Sequence, residues 1–280
     1  MSSFEQEYYE AASFWEGSAL SDHSNMRRFE ATVNLIPVDV HTLLDAGCGN
    51  GVFGRILEKT RPEITVLGVD RSITALTFVS GQTLQGSVNS LPVPDQSYDC
   101  VSCLQVIEHL PVEVFAQSIT ELARVAKTYL LIGVPFNEAT DKNVTTCPQC
   151  KSTFNCDLHL RSFSDATMQS LFSKEGFRHV TSCYPGQHTK LVGADLFPLV
   201  KQFLSRSPTR KFLSPICPLC GYSEGDITAL SVEKNAATVS PSRLRVLLRN
   251  TRLAVVKGIS CFWPKAQFPG YWVVSLYQRQ

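Results

Sequence analysis

Residues 42–54 read TLLDAGCGNGVFG, and this stretch decides the fold that we predict for the chain. The apolar run from Thr42 to Leu44 is typical of a buried parallel strand. Asp45 follows where that strand would end, and the glycines of the next turn let the backbone bend tightly and approach a ligand. Val52 to Lys59 places apolar residues on one face of a helix. A strand, a glycine-rich turn and a helix N-terminus together predict a loop whose N–H groups hold a small ligand.

Two kinds of cofactor fit such a loop. Gly49, Gly51 and Gly54 match the G-x-G-x-x-G pattern of dinucleotide-binding proteins, although this pattern alone has low specificity. Asp70 ends the next apolar run, at a spacing typical of an acidic side chain that binds a ribose. Asp45 distinguishes between the two kinds of cofactor, because its carboxylate would repel a pyrophosphate and attract an ammonium or sulfonium group. The residues therefore favour a ligand that carries an ammonium or sulfonium group over NAD.

Two motifs carry a resemblance to a known family. The sequence D-A-G-C-G-N-G at 45–51 resembles the first motif of class I S-adenosylmethionine-dependent methyltransferases. The segment LPVPDQSYDCVSCLQVIEHL at 91–110 is similar to the family segment LPFPDNSFDVV…EHL, at a compatible distance from the first motif. Short apolar runs alternate with helical segments, as in βαβ units. We therefore expect a Rossmann-like α/β fold, a seven-stranded, mostly parallel sheet with helices on both faces.

The resemblance also implies which residues bind the cofactor. Asp45 and the glycines of the loop would surround its methionine part and ribose, and Asp70 would accept hydrogen bonds from both ribose hydroxyls. Family members often have an acidic residue where this chain has Ser87, so we expect a weaker contact with the adenine. The expected cofactor-binding residues are Asp45, Gly47, Cys48, Gly49, Gly51, Asp70, Arg71, Ser87, Val88, Leu104 and Gln105.

Glu108 and His109 are the candidate catalytic residues, because they follow the fourth predicted strand at the sheet edge where such folds bind ligands. A sulfonium methyl group is already activated, so the protein mainly aligns the acceptor and excludes water. If the acceptor is a hydroxyl, we expect His109 to remove its proton or to orient the substrate, with Glu108 holding the ring or the loop. The alternative is a histidine that only packs and hydrogen-bonds. His159 and His188 are further candidates on the same grounds.

Two cysteine pairs predict a metal site. Cys147-Pro-Gln-Cys150 and Cys217-Pro-Leu-Cys220 are C-P-x-C knuckles, and four thiolates from two such pairs satisfy a tetrahedral structural zinc site. The pairs are far apart in sequence, so they would have to meet in the fold. An alternative set combines the first pair with Cys156 and His159, and another alternative is reduced cysteines without metal. Catalytic zinc is not expected, because four thiolates leave no open position.

The composition limits which partners and which cellular compartment we expect. The chain has 26 Lys and Arg against 25 Asp and Glu, a net charge of +1, which gives no electrostatic footprint for nucleic acid. The N-terminus has no signal-peptide pattern, and the apolar runs are too short to cross a bilayer. We therefore expect a cytoplasmic protein with neither a membrane nor a nucleic-acid partner, whose ten cysteines are buried thiols or metal ligands. The sequence does not define an oligomeric state.

The chain is expected to have three parts. Residues 1–40 contain clustered aromatic residues and predict an N-terminal helical lid, or helices that only pack on the sheet. Residues 41–185 and 269–280 would form the cofactor-binding core, with the first knuckle in 136–160. Residues 186–268 would form a C-terminal insertion that holds the second knuckle and the substrate-selecting elements.

The predicted function is transfer of a methyl group from S-adenosylmethionine to an oxygen or nitrogen nucleophile of a small-molecule or glycan-type acceptor. One alternative is an NAD-dependent oxidoreductase of the Rossmann type. Another is a zinc-stapled, non-catalytic binding protein with a methyltransferase fold. Titration with S-adenosylmethionine and with NAD separates the three, because binding of neither ligand favours the non-catalytic protein. A macromolecular acceptor also fits the insertion, although no interleaving of aromatic and basic residues supports RNA.

Overall fold

The structure is a computed structural model that describes most of the chain. The described residues are 9, 10, 12, 15, 23–186, 188–191, 217–220, 222, 265–268 and 270–280. The chain divides into two compact units. The first comprises residues 1–186, 216–222 and 269–280, and the second comprises residues 187–215 and 223–268.

Eleven strands and five α-helices are named here within the described residues. In chain order they are α1 (His23–Leu35), β1 (Thr42–Ala46), α2 (Val52–Thr60), β2 (Thr65–Asp70), α3 (Ile73–Leu76), β3 (Gln82–Gln85), β4 (Tyr98–Leu104), α4 (Val112–Val125), β5 (Ala126–Pro135), β6 (Val144–Thr146), β7 (Thr153–Asn155), α5 (Asp165–Ser170), β8 (Phe177–Cys183), β9 (His188–Leu191), β10 (Lys265–Phe268) and β11 (Trp272–Arg279). Short 3₁₀ turns at Ile107–His109 and Ser173–Glu175 follow β4 and α5.

The first unit contains a seven-stranded sheet with the strand order β3-β2-β1-β4-β5-β11-β8. Strands β1 to β5 pair in parallel, whereas β11 runs antiparallel to both of its neighbours. The predicted α/β fold with a mostly parallel seven-stranded sheet is therefore confirmed. The strand order reverses between β1 and β4, and open α/β sheets bind ligands at the carboxyl ends of strands at such a point.

Apolar clusters cover both faces of the sheet, as the near-continuous apolar run of β5 predicts for a strand buried on both sides. One cluster joins α4 and α5 to the sheet through residues such as Leu122, Met168 and Tyr277. The other joins α1 and α2 to the opposite face through residues such as Phe29 and Leu57. Because both faces are buried, the polar groups at the carboxyl ends of the strands are what the sheet presents to a ligand.

The second unit is described only in part. Its described residues form one antiparallel pair, β9 with β10. Most of residues 186–268, which we expect to select the substrate, lies outside the described residues. Residues 216–222, which carry the second cysteine pair, group with the first unit. Within the described parts of the chain, no helix is both long and apolar enough to cross a bilayer.

Candidate active site

The glycine-rich turn after β1 is held against the end of β2. The backbone N–H groups of Gly47 and Cys48 both donate to the carbonyl of Val69, at 2.7 and 3.1 Å. Gly47 has a φ angle of 78°, and a Cβ atom there would overlap the side chain of Val106. The turn therefore requires glycine, both for its left-handed backbone and for the close approach of the segment that follows β4.

Asp45 lies at the end of β1 and is almost fully buried, with 3% of its surface exposed. Its Oδ1 accepts a hydrogen bond of 2.7 Å from the hydroxyl of Ser102, which lies directly opposite in β4. Burial raises the pKa of Asp45 to about 7, the Ser102 hydrogen bond opposes that shift, and the charge of Asp70 adds to it. Ser102 was missed at the level of sequence, although a hydroxyl within an apolar strand was a visible signal.

Asp70 ends β2 and hydrogen-bonds the glycine-rich turn. Its Oδ2 accepts from the N–H of Gly49 at 2.8 Å, and its Oδ1 accepts from the N–H of Ser72 at 2.9 Å. Burial raises its pKa, and these two N–H groups partly oppose the shift. Each oxygen of an ionised carboxylate has a further acceptor position, so Asp70 can also bind ligand hydroxyls. The structure thus brings Asp45 and Asp70 to one turn.

Two further expected cofactor residues lie just beyond β3, next to Asp70. The N–H of Gly86 donates to the carbonyl of Asp70 at 2.9 Å, which fixes the start of this segment. Ser87 donates its hydroxyl to Oδ1 of Asn89, and Val88 is buried in the apolar core. The Ser87 hydroxyl is therefore already engaged within its own loop.

Leu104 and Gln105 leave β4 beside the glycine-rich turn. Gln105 has a φ angle of 60°, an uncommon conformation for a residue other than glycine that is enriched at functional sites. Its backbone N–H and its side-chain amide both donate to the carbonyl of Gly133 in β5, at 2.8 and 3.0 Å. These two hydrogen bonds hold the sharp exit from β4 that leads to Glu108 and His109.

The described residues of the N-terminal segment contact the same turns. The amide of Asn50 donates to the carbonyl of Trp15 at 2.9 Å, and a Cβ atom at Gly49 would lie 2.7 Å from the Trp15 ring. The Glu10 carboxylate accepts from the N–H groups of Ile73 and Thr74 at 3.1 and 3.0 Å. Trp15 thus covers the glycine-rich turn, and the cluster of aromatic residues in the sequence was the signal for it.

Tyr9 joins the same contacts on the β2 side. The hydroxyl of Ser72 donates to the carbonyl of Tyr9 at 2.7 Å, and the Arg71 guanidinium lies over the Tyr9 ring, 4.9 Å from its centre. Arg71, one of the expected cofactor residues, therefore packs against the N-terminal segment. Cys48, also one of the expected cofactor residues, is half-buried, and burial raises the pKa of its thiol.

Glu108 and His109 form a group with His159, in which Glu108 and His159 are buried and His109 is partly exposed. Glu108 is fully buried, and its Oε1 lies 4.0 Å from Nε2 of His109. The rings of His109 and His159 are 4.7 Å apart between centres, and His159 hydrogen-bonds Glu138 through Nδ1. Burial raises the pKa of Glu108 to about 8 and lowers the pKa of His109 to about 3, with His159 lowering the latter further. His188 lies in β9 of the second unit, where no side chain is described.

The two cysteine pairs meet in the first unit. Sγ of Cys147 lies 3.6 Å from Sγ of Cys220, and Sγ of Cys150 lies 3.5 Å from Sγ of Cys217. The knuckles have matching turns, because the N–H of Cys147 donates to Ser152 and that of Cys217 donates to Tyr222, each five residues on. The four sulfur atoms form one group of possible metal ligands. Cys156 and His159, the local alternative, are not part of that group within the described residues.

Comparison with known proteins identifies the central part of the chain. Residues 44–129, which include both carboxylates and the Glu108–His109 pair, match the family model described as a methyltransferase domain. The chain contains a class I S-adenosylmethionine-dependent methyltransferase domain. A protein of Mycobacterium tuberculosis strain H37Rv, named a probable S-adenosylmethionine-dependent methyltransferase, is 31% identical over 146 residues, which cover 50% of each chain. A Mycolicibacterium smegmatis protein of similar name is 29% identical over 138 residues, 48% of this chain and 51% of its own.

Solved structures agree with this methyltransferase fold. An S-adenosylmethionine-dependent methyltransferase from Thermotoga maritima is 16% identical and has a TM-score of 0.50, over 99% of this chain and 95% of its own. Magnesium protoporphyrin IX methyltransferase from Synechocystis PCC 6803 is 16% identical and also has a TM-score of 0.50, over 66% of this chain and 94% of its own. At this identity the likeness shows the fold alone. This chain spans about half the length of the curated relatives that it matches.

Proposed function

We propose that the protein transfers a methyl group from S-adenosylmethionine to an oxygen or nitrogen atom of a small-molecule or glycan-type acceptor. The observation that carries the proposal is the pair of buried carboxylates, Asp45 and Asp70, at one glycine-rich turn. A cofactor with a positive charge and a ribose fits this donor set, because Asp45 can neutralise the charge and Asp70 can accept from hydroxyls.

The chemistry that the cofactor supplies is an activated methyl group on a sulfonium, whose bond electrons stay on the sulfur when the methyl leaves. The acceptor atom donates the electron pair of the new bond, and a hydroxyl acceptor must also lose its proton. Glu108 and His109 stand directly after β4, next to the turn, and we assign them to hold the acceptor and take that proton. Trp15 lies over the turn, and we assign it to exclude water from the bound cofactor.

The balanced charge of the chain supports an acceptor that is not a nucleic acid, since 26 basic residues face 25 acidic ones. A small or glycan-type acceptor needs only a pocket with a few polar groups, and the residues after β4 supply such groups.

Calorimetric titration with S-adenosylmethionine and NAD tests the proposal. We expect saturable binding of S-adenosylmethionine and its demethylated product and no binding of NAD. In an acceptor screen that monitors the demethylated product, His109→Ala should lower kcat and leave the affinity for S-adenosylmethionine unchanged. Binding of NAD alone, or of neither ligand, would overturn the methyltransferase proposal, and unchanged turnover by His109→Ala would overturn the role of His109.

We also propose that Cys147, Cys150, Cys217 and Cys220 bind a structural zinc ion. Four sulfur atoms at Zn–S distances of about 2.3 Å lie about 3.8 Å apart in a tetrahedron, and the two S–S distances of 3.5 and 3.6 Å in the structure are close to that value. Elemental analysis of freshly purified protein should find one zinc per chain. Less than half an equivalent would contradict the site.

A further inference from the structure

A second group of possible metal ligands lies outside the cysteine site. One carboxylate oxygen of Glu108 and one ring nitrogen each of His109 and His159 lie within 4.8 Å of one another. Ligands about 2.1 Å from one ion are separated by about 3 to 4.2 Å. Small side-chain movements would therefore bring all three atoms into one coordination sphere.

The carboxylate of Glu108 is buried without a hydrogen-bond partner in the described part of the chain. It is fully buried, and within the described residues neither of its oxygens has a hydrogen-bond partner. The Nδ1 atom of His109 is also buried without a partner there. Buried carboxylates are normally paired or bound to a metal, because burial without a partner costs free energy. Burial has the largest effect on the pKa of this carboxylate and raises it, whereas the backbone of Glu108 and the charges of Arg28 and Arg161 favour the ionised form and lower the pKa.

His159 is oriented as a metal ligand is. Its Nδ1 hydrogen-bonds the Glu138 carboxylate, which fixes the proton on Nδ1 and leaves Nε2 with a free lone pair. A carboxylate that holds the far nitrogen of a histidine is the usual arrangement behind a metal-binding imidazole. Glu138 thus acts on His159 from outside the ligand group.

Hydrogen bonds join the two segments that carry the three ligands. The N–H of Leu160 donates to the carbonyl of Glu108 at 2.8 Å. The Arg161 guanidinium donates to the carbonyl of Ile107 at 2.7 Å and also contacts the carbonyl of Leu110. His159 is therefore held against Glu108 and His109 although 49 residues lie between His109 and His159.

We propose that Glu108, His109 and His159 bind a divalent first-row transition-metal ion. Two imidazoles and one carboxylate suit manganese, iron, cobalt or zinc better than magnesium or calcium, and three protein ligands leave positions open. The role that we give the ion, binding an oxygen of the methyl acceptor and favouring loss of its proton, rests on the proposed function. With the ion bound, Glu108 and His109 act as its ligands and no longer take the proton themselves. The binding of the ion itself does not depend on that function.

Electron paramagnetic resonance of Mn²⁺ tests the site in the full chain. Thiolates are poor ligands for Mn²⁺, so zinc at the cysteine site does not interfere. After dialysis against EDTA, we expect wild type to bind one equivalent of Mn²⁺. Glu108→Gln, which keeps the size of the side chain, should weaken binding by about 100-fold, and Glu138→Gln by roughly tenfold. His41→Asn, at an exposed histidine, is the matched control and should bind as wild type does.

Two outcomes would overturn the metal site. One is binding of less than half an equivalent of Mn²⁺ by wild type, and the other is equal binding by wild type and a folded Glu108→Gln. Thermal unfolding of each variant shows whether it is folded, and Glu138→Gln provides a second, milder change. Calorimetry with S-adenosylmethionine on the same samples separates the proposals. Protein that binds the cofactor but not Mn²⁺ lacks the metal site alone, and the reverse result contradicts the methyltransferase proposal alone.

Discussion

The two halves of the candidate active site are assembled in different ways. The half that we propose binds the cofactor, the cofactor half, comes from short continuous motifs, residues 45–51 and Asp70, on adjacent parallel strands. The half that we propose binds the acceptor, the acceptor half, brings Glu108 and His109 together with His159, which follows β7 and is much further along the chain. In the cofactor half the carboxylates accept hydrogen bonds from Ser102, Gly49 and Ser72, whereas the carboxylate of Glu108 has no such donor in the described residues.

This difference indicates in which half the buried carboxylates have hydrogen-bond partners before a ligand binds. A buried polar group without a partner costs about 1–3 kcal/mol, and more if it is charged. The cofactor half avoids that cost with its own N–H and O–H groups. The acceptor half retains it at Glu108, so we expect that half to gain a partner on binding. The predictions below test whether the two halves are as independent as this comparison implies.

The largest effect is expected at Asp70. Asp70→Asn replaces an acceptor-only carboxylate with an amide, and its NH₂ group would face the N–H donor of either Gly49 or Ser72. Loss of charge-assisted hydrogen bonds to the ribose should weaken S-adenosylmethionine binding by about 100-fold, or about 2.7 kcal/mol. Calorimetry measures this. Asp95→Asn, at an exposed carboxylate paired with Arg124, is the matched control and should leave the affinity unchanged. A change below about threefold at Asp70 would contradict its assigned role.

The next effect is expected at the cysteine site, which belongs to neither half, and it tests whether the cofactor half is independent of the rest of the fold. Cys217→Ser removes one thiolate, and because metal binding adds to folding free energy, the free energy of unfolding should fall by about 2 kcal/mol, or roughly 4–8 °C in Tm. Affinity for S-adenosylmethionine should change less than about twofold. Cys156→Ser, outside the sulfur group, is the control. If Cys217→Ser abolishes cofactor binding while the protein stays folded, the cofactor half depends on the cysteine site and is not complete by itself, contrary to what the comparison requires.

The same difference explains what the sequence could predict. The fold and the proximity of Asp45 to Asp70 depend on local patterns. These are a strand, a glycine-rich turn and the spacing to the next strand, so the sequence alone predicts them. The spacing within each cysteine pair was equally local, but the choice between the distant pair and the set with Cys156 and His159 was not. His159 turns instead toward Glu108, because the segment at 158–161 hydrogen-bonds the segment at 107–110. Such long-range pairing has no signature in a single sequence.

A smaller effect on cofactor affinity is expected from pH, and it tests whether the Asp45 carboxyl group is ionised before the cofactor binds. Burial raises the pKa of Asp45 to about 7, so the free protein holds a proton on this carboxyl group below that pH. A cationic ligand requires the ionised form. Below pH 7, affinity for S-adenosylmethionine should therefore fall by about tenfold, or 1.4 kcal/mol, for each pH unit, and it should be constant above pH 8.

Calorimetry between pH 5.5 and 8.5, in buffers of different ionisation enthalpy, measures both the affinity and the proton released. Asp45→Asn should bind weakly at every pH and release no proton from this position. Wild-type affinity that does not vary across this range would show that Asp45 is ionised before the ligand binds, and the raised pKa would then be wrong.

The smallest effect is expected at Trp15, whose ring lies against Gly49 and covers the glycine-rich turn. If the N-terminal segment is a lid, Trp15→Ala should leave Tm unchanged within about 2 °C and speed dissociation of S-adenosylmethionine by about threefold, or roughly 0.7 kcal/mol. Trp15→Phe keeps an aromatic ring and is the matched control. Stopped-flow displacement measures the dissociation rate. If Trp15→Ala lowers Tm and leaves dissociation unchanged, Trp15 serves the packing of the fold, and the cofactor half is complete without its cover.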